Sequence, residues 1–372
     1  RALSVLMVDF SCALKLAMPL AVLSAMREAG RAHITVKGGK FLEAVAAADT
    51  IVFDKTGTLT RACPRVAQVV PFGGKEEAEM LRLAACLEEH FPHSWPTPWW
   101  RRRSVGACAT RSTTPRWNIW WPTASPAPSM GSGSSSVAPT LSLRMRAASF
   151  RKANRSALTP LPPEYSHLYL AVGGQLAAVI CISDPLREEA KEALSALRTL
   201  GITSTVMLTG DSYRTAAAIA AQVGVDDFRA GVLPADKAEY VARLRREGHT
   251  VLMVGDGIND SPALSEADAG IAISDGAAIA REIADITIAA DSLWELVELR
   301  RIAMALMARI HSNYRFVIGF NGTLIALGVA GVLPPATSAT LHNLSTLGVS
   351  LRSMSRLTAQ TQSTRGNNLQ NG

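Results

Sequence analysis

The sequence predicts an α/β protein built on a doubly wound, Rossmann-like parallel sheet. Three apolar runs carry that reading: Thr50-Ile51-Val52-Phe53, Thr205-Val206-Met207-Leu208 and Val251-Leu252-Met253-Val254. Each is short, apolar almost throughout and followed by a turn containing Gly and Asp, the pattern of strands buried on both faces. Across 161–290, strand and helix patterns alternate, which argues for parallel strands joined by helical crossovers. Strand 50–53 has to join strands contributed by 161–290, so the sheet is discontinuous in sequence.

The strand ends carry the chemistry. The first runs into Asp54-Lys55-Thr56-Gly57-Thr58-Leu59-Thr60. In open α/β sheets, reactive groups lie at the carboxyl ends of strands. Asp54 is therefore placed to attack phosphorus and form an aspartyl phosphate. Thr56, Gly57 and Thr58 can offer N–H groups and hydroxyls to phosphoryl oxygens. An Asx turn closing a strand is the plainer reading of Asp-Lys-Thr alone. The second strand ends at Thr209-Gly210-Asp211. The third ends at Gly255-Asp256-Gly257-Ile258-Asn259-Asp260, where two carboxylates and an amide suit Mg²⁺, a hard cation that takes oxygen ligands.

These three loops, in this order, resemble the catalytic domain of P-type ATPases, which belong to the haloacid-dehalogenase-like superfamily of phosphotransferases. By that resemblance Asp54 is the phosphorylated residue and Lys55 and Thr56 belong to its motif. Asp54, Asp256 and the Thr56 carbonyl hold Mg²⁺. Thr209, Gly210, Asp211 and Lys237 surround the phosphoryl group, and Asn259 and Asp260 complete the site. Lys237 lies in Leu233-Pro234-Ala235-Asp236-Lys237 and by composition alone is one surface cation among many.

Residues 2–26 are long and apolar enough for a bilayer span, with Asp9 and Lys15 the charges inside it. A buried soluble helix is the competing reading. Phe10-Ser11-Cys12, followed by Ala13-Leu14 and later Pro19, resembles the ion-binding helix of heavy-metal-transporting P-type ATPases. The Pro usual in the middle of that triplet is absent. A lone thiolate with oxygen donors does not favour Cu(I), which takes several soft ligands. Two further spans are expected at 314–333 and 337–355, within a C-terminal helix pair over 299–357. Ser11, Cys12, Asn321, His342, Asn343 and Ser345 are the candidate ligands of a transported transition-metal cation. Helix-bridging polar contacts are the alternative for each.

The remaining organisation follows in order. Residues 27–72 form a junction and the first part of the phosphorylation domain, with a short helix at 40–47. A helix at 75–89 opens a nucleotide-domain insertion over 73–160. Glu88-Glu89-His90-Phe91-Pro92-His93-Ser94 resembles the Ser-Glu-His-Pro of metal-ATPase nucleotide domains, so His90 or His93 is a candidate adenine contact; a capped helix end is the other reading. Residues 161–298 supply the second part of the phosphorylation domain. Asp184-Pro185-Leu186-Arg187 is read as a helix N-cap with Pro in the first turn. By the resemblance, Asp184 and Arg187 border the ATP site. Helices are expected from there to Leu200, at 212–223 and 237–246, and again at 292–312. A Gln/Asn/Ser-rich tail, 358–372, is expected to be disordered.

Residues 95–155 fit none of this. They hold clustered Trp and Arg and Ser/Pro/Gly runs, with no sustained period. Codons for Trp117-Asn118-Ile119-Trp120-Trp121-Pro122-Thr123-Ala124, read one base upstream, can encode Val-Glu-Tyr-Leu-Val-Ala-His-Gly. A compensated frameshift over 95–155 is the expectation.

Composition narrows the classes. Apolar residues make up 48% of the chain, ample for a core, and net charge is +7. No recognition motif accompanies the basic excess, so nucleic acid is not an expected partner. The 5 cysteines are odd in number and include no Cys-x-x-Cys, which argues against a disulfide framework. Arg1 opens the chain, and the family's Thr-Gly-Glu actuator loop is not in it, so it reads as part of something longer. The reading is an ATP-driven metal transporter of the inner membrane with its catalytic domain in the cytoplasm. A soluble phosphatase of the same superfamily is the alternative, although such enzymes carry Asp where Thr56 stands. A product of a damaged ATPase gene is the third.

Overall fold

The computed structural model describes residues 10–61, 63–90, 117–120, 162, 164–172, 175–256, 260–273, 282–289 and 292–357. Residues 2–9, His93, Asn259, the tail from 358, and 95–155 apart from 117–120 lie outside them. The elements are α1 Phe10–Arg31, β1 Ile34–Val36, α2 Gly39–Ala47, β2 Thr50–Asp54, β3 Arg65–Pro71, α3 Glu77–His90, β4 Trp117–Trp120, β5 Ser166–Val172, β6 Gln175–Ser183 and α4 Ala190–Thr199. Then come β7 Ser204–Leu208, α5 Tyr213–Val223, β8 Asp227–Arg229, α6 Pro234–Arg246, β9 Val251–Gly255, α7 Ser261–Glu266, β10 Ala269–Ile273, β11 Ile286–Ile288, α8 Trp294–Val329 and α9 Pro335–Met354. The chain divides into two compact units: Arg1–Ile51, Ser195–Thr203 and Tyr240–Gly372 form one; Val52–Leu194 and Ser204–Glu239 form the other.

In the first unit, β9 pairs parallel with β10 and β10 with β11, while β1 closes the edge antiparallel to β11. All residues of β9 and β10 are buried. That is why their sequences run apolar without alternation. Arg300, buried on α8, holds two helix ends: it donates to the Val45 carbonyl of α2 and, through Nε at 3.2 Å and Nη2 at 3.1 Å, to the Leu200 carbonyl just beyond α4. A guanidinium matches such orphan terminal carbonyls in both charge and geometry.

Helices α1, α8 and α9 pack together in the same unit. On α1, Ala13, Ala17, Ala21, Ala25 and Ala29 are all buried at i, i+4 spacing. Small side chains in such a stripe let helix backbones approach closely. Large apolar side chains point outward from the three helices, among them Leu16, Leu23, Phe316, Leu344, Leu347 and Leu351.

The second unit contains the parallel pair β7–β8 and a four-stranded antiparallel sheet ordered β3-β6-β5-β4. Side chains of β6 alternate from Ala178 to Ile182. Ala178, Ile180 and Ile182 face Met80, Leu81 and Ala84 of α3 in one core, while Val179 and Cys181 lie in a separate cluster with Phe72, Tyr165 and Tyr169.

Several expectations are corrected. Among the described residues no helix is long and apolar enough to cross a membrane. The apolar run from Phe316 is cut where α8 ends at Val329 and the chain turns through Gly331 at φ 82. The expected helix at 292–312 and the run beyond it are one 36-residue helix, α8. The helix after Asp184 starts only at Ala190, because the Asp184 carboxylate is engaged elsewhere. No strand was expected at 117–120, yet β4 pairs antiparallel with β5. Edge pairing uses backbone groups and needs no side-chain period.

Arg300→Ala leaves the Val45 and Leu200 carbonyls without this donor. The expected loss in unfolding free energy is about 3 kcal/mol, read by urea denaturation. Arg301→Ala, whose side chain is 40% exposed in its pair with Glu298, should stay within about 0.5 kcal/mol of the parent.

Candidate functional site

β2 delivers Asp54 at its carboxyl end, 6% exposed. The chain then reverses through Lys55–Leu59. Gly57 takes φ 76, ψ −7, a left-handed conformation that a Cβ would oppose. Thr60 closes the turn from inside. Its N–H donates to the Lys55 carbonyl at 3.1 Å, and its hydroxyl accepts from the Gly57 N–H at 3.1 Å.

The turn is also gripped from the segment ahead of α4. Asp184 Oδ2 accepts from the Thr60 hydroxyl at 2.6 Å, and Oδ1 accepts from the Cys63 N–H at 3.2 Å. Arg187 donates from Nε to the Thr58 carbonyl at 2.8 Å and from Nη2 to the Gly57 carbonyl at 3.5 Å. Its own N–H reaches the Leu59 carbonyl at 2.9 Å. The structure thus gives Asp184 and Arg187 to the turn at 55–60 rather than to a helix cap. The sequence string contained Thr60 but offered no signal that a residue more than a hundred positions away would hold it.

Two cations stand at the strand ends. Lys237, in the first turn of α6, places Nζ 2.5 Å from Asp54 Oδ1. Lys55 places Nζ 2.5 Å from Asp211 Oδ2. Burial pushes the Lys55 ammonium down. The Asp211, Asp184 and Asp54 carboxylates outweigh burial and hold it above the ordinary lysine value. Burial pushes the Asp184 carboxyl up, against the pull of the Thr60 hydroxyl, Lys55 and the Cys63 N–H. Thr209, also buried, accepts from the Asp211 N–H at 3.1 Å and so fixes the loop after β7. The second unit therefore brings together Asp54, Lys55, Thr209, Asp211 and Lys237, residues the sequence scatters over nearly two hundred positions.

In the first unit, β9 delivers Asp256 just past Gly255. A Cβ at Gly255 would lie 2.6 Å from Asp260 Oδ2. Gly255 is thus the space in which the buried Asp260 side chain sits, and α7 starts immediately after it with Pro262 in its first turn. Asn321 and His342, both buried, meet across α8 and α9 at 3.2 Å between Oδ1 and Nδ1. Ser345 donates to the His342 carbonyl at 2.8 Å, and Asn343 is exposed, so neither joins that pair. Ser11 and Cys12 lie on α1 and His90 ends α3; their side chains are not among those described.

A buried strand-end carboxylate with a lysine on its oxygen, and Asp211 at a second strand end of the same unit, fit a phosphotransferase-type α/β site. Residues 48–268 match the profile of the haloacid dehalogenase-like hydrolases, and the chain belongs to that family. It is 36% identical over 360 residues to a zinc-exporting P-type ATPase of Mycobacterium marinum, with 94% of this chain and 48% of the relative covered. It is 35% identical over 360 residues to a manganese-exporting P-type ATPase of Mycobacterium leprae, covering 94% of this chain and 48% of that protein. A copper-exporting P-type ATPase of Bacillus subtilis is 32% identical over 95% of this chain and 44% of its own length. The crystal structure of a zinc-transporting PIB-type ATPase in the E2.Pi state superposes with a TM-score of 0.69 at 29% identity, over 93% of this chain and 56% of that one. The chain spans about half the length of the curated relatives it matches.

Thr60→Val removes an acceptor for Gly57 N–H and a donor to Asp184. The expected loss is about 2 kcal/mol of unfolding free energy, with a turn that proteolysis cuts faster between residues 55 and 63. The Lys55 pairing sets a pH dependence. Its folded value is raised above 10.5, so its contribution is whole below pH 10.5 and is lost as pH rises through the folded value. Unfolding titrations should show the parent losing stability in that alkaline window more steeply than Lys55→Met.

Proposed function

We propose that this chain carries the phosphorylation domain and ion-binding helices of a transition-metal-exporting P-type ATPase. The observation that carries the reading is Asp54, a buried strand-end carboxylate with the Lys237 ammonium 2.5 Å from one oxygen. In the proposed step, a carboxylate oxygen of Asp54 attacks the γ-phosphorus of ATP in line. The bond from that phosphorus to the β–γ bridging oxygen breaks, and ADP leaves with its electron pair. Lys237 and the Thr209 hydroxyl stabilise the phosphoryl oxygens, and the N–H groups of the turn at 56–58 cradle them. The Asp211–Lys55 pair and the Asp184–Arg187 grip keep the turn in one conformation. Asn259 and Asp260 complete the site.

Asp54 and the Thr56 carbonyl offer oxygen donors, which fits Mg²⁺; the ion would neutralise phosphoryl charge there. Thr56 stands where hydrolytic relatives need a proton-transfer carboxyl. A long-lived aspartyl phosphate follows, as a pump requires and a soluble phosphatase does not.

The outward apolar side chains of α1, α8 and α9 support a membrane-associated location, with the site at Asp54 on the cytoplasmic side of an inner membrane. The transported ion is assigned to Cys12, Ser11, Asn321 and His342, with Asn343 and Ser345 on the same helix. A mixed thiolate, imidazole and oxygen set suits a divalent transition metal over Cu(I). Residues 95–155 are assigned to a shifted reading frame inside the nucleotide domain, with His90 and His93 as the candidate adenine contacts.

Labelling distinguishes these parts. Acetyl phosphate with Mg²⁺ should phosphorylate the protein in a hydroxylamine-sensitive form, and Asp54→Asn should abolish it. ATP should label poorly until 95–155 is restored to the alternative frame. Label persisting in Asp54→Asn refutes the nucleophile. Micromolar ATP affinity in the unrestored chain refutes the frameshift.

A further inference from the structure

The stripe that α8 turns toward its neighbours is not uniformly apolar. In order it reads Asn313, Val317, Asn321, Leu324 and Gly328, all buried. Opposite it, α9 buries Ser353, Ser350, Val349, His342 and Ser338 in the reverse order. Two polar pairs result. Asn321 meets His342, and Asn313 Nδ2 donates to Ser353 Oγ at 2.9 Å. Between them Val317 and Val349 pack with Ala13 and Ala17 of α1 in one apolar cluster. The stripe is therefore polar, apolar, polar along its length. The two asparagines are eight residues apart, about 12 Å along the helix.

The outer pair is incompletely satisfied. Asn313 is 3% exposed, and its Oδ1 has no hydrogen-bond partner among the described residues. Ser353 donates its own proton to the Val349 carbonyl at 2.8 Å, which fixes the Asn313 amide with Nδ2 toward the serine and Oδ1 away from it. Leaving a buried amide oxygen unmatched is destabilising. A single amide that bridged two helices would need no second acceptor; this one is held so that its acceptor stays available.

We infer that Asn313 Oδ1 is an outer station for a hydrated divalent cation, set one apolar collar short of the Asn321–His342 pair. This rests on the transport reading. Neutral oxygen is too weak a donor to strip and trap a divalent ion. It accepts hydrogen bonds from the ion's first-shell waters. The Val317–Val349 collar then passes the ion only as it sheds water, toward the imidazole beyond. Weak sites in series, separated by an apolar constriction, allow entry without trapping. A thiophilic Cu(I) ion carries no such water shell and gains nothing from the outer station.

The test uses Mn²⁺ and the full chain in lipid nanodiscs, followed by loss of the free-Mn²⁺ electron paramagnetic resonance signal. The parent should bind Mn²⁺, and His342→Ala should lose the tight site. Asn313→Leu, of similar volume but without the acceptor, should bind the same final amount about tenfold more slowly. Asn313→Asp keeps the shape and adds charge; it should hold an additional Mn²⁺ that survives His342→Ala. Parent-like rates in Asn313→Leu, or no additional Mn²⁺ in Asn313→Asp, overturn the inference and leave Asn313 a helix bridge. If the parent binds neither Mn²⁺ nor Zn²⁺ while Asp54 still labels with acetyl phosphate, the transport reading falls and this inference with it.

Discussion

In the proposed step, the carboxylate that attacks phosphorus has to be dry enough to be reactive and charged enough to be a nucleophile. Those demands conflict, and the Asp54–Lys237 contact resolves the conflict. Removing one partner of a buried ion pair costs about 3–5 kcal/mol because the other charge is stranded. The pair therefore constrains everything near it. α6 must begin where its first turn can project Lys237 at Asp54. The loop after β7 must present Asp211 to Lys55, so that a second buried ammonium is not left alone. The turn at 55–60 must be immobile, since a displacement of an ångström would spoil in-line attack.

That immobility has an external source. The turn's own contacts are few: Gly57 supplies the conformation and its N–H reaches the Thr60 hydroxyl, but the remaining anchors come from outside. Asp184 and Arg187 supply them, one accepting from Thr60 and Cys63, the other donating to carbonyls at 57 and 58. Asp184 is thereby kept from starting a helix. The acid and the guanidinium act on the nucleophile only through the backbone between them, so they are positioning groups.

The strand-end motifs were legible because burial on both faces imposes an unbroken apolar run, and because the reacting groups must follow such runs directly. Asp54, Asp211 and Asp256 could be placed for that reason. The bounds of α5 were legible too, since Ser212 caps it and Gly224 ends it in the left-handed region. The grip of Asp184 on Thr60 was not, because it joins residues 124 apart in sequence through contacts that leave no local period. The start of α4 was misread for the same reason: an Asp-Pro pair looks like a cap unless its carboxylate is known to be occupied. The union of two expected helices into α8 escaped notice because Asn313, Tyr314 and Arg315 look like an exit, whereas Asn313 finds Ser353 and the helix continues.

α8 is continuous over 36 residues, with no proline inside it. Such a rod measures about 54 Å. Arg300 clasps it near one end to α2 and the residue beyond α4, and its other half carries Asn313, Val317 and Asn321. A rigid rod pinned near one end is a lever: a tilt of about 5° at the clasp sweeps the far tip through about 4 Å and carries Val317 through about 2 Å. Small rearrangements at the root are therefore magnified along the rod, with no hinge required within the helix itself.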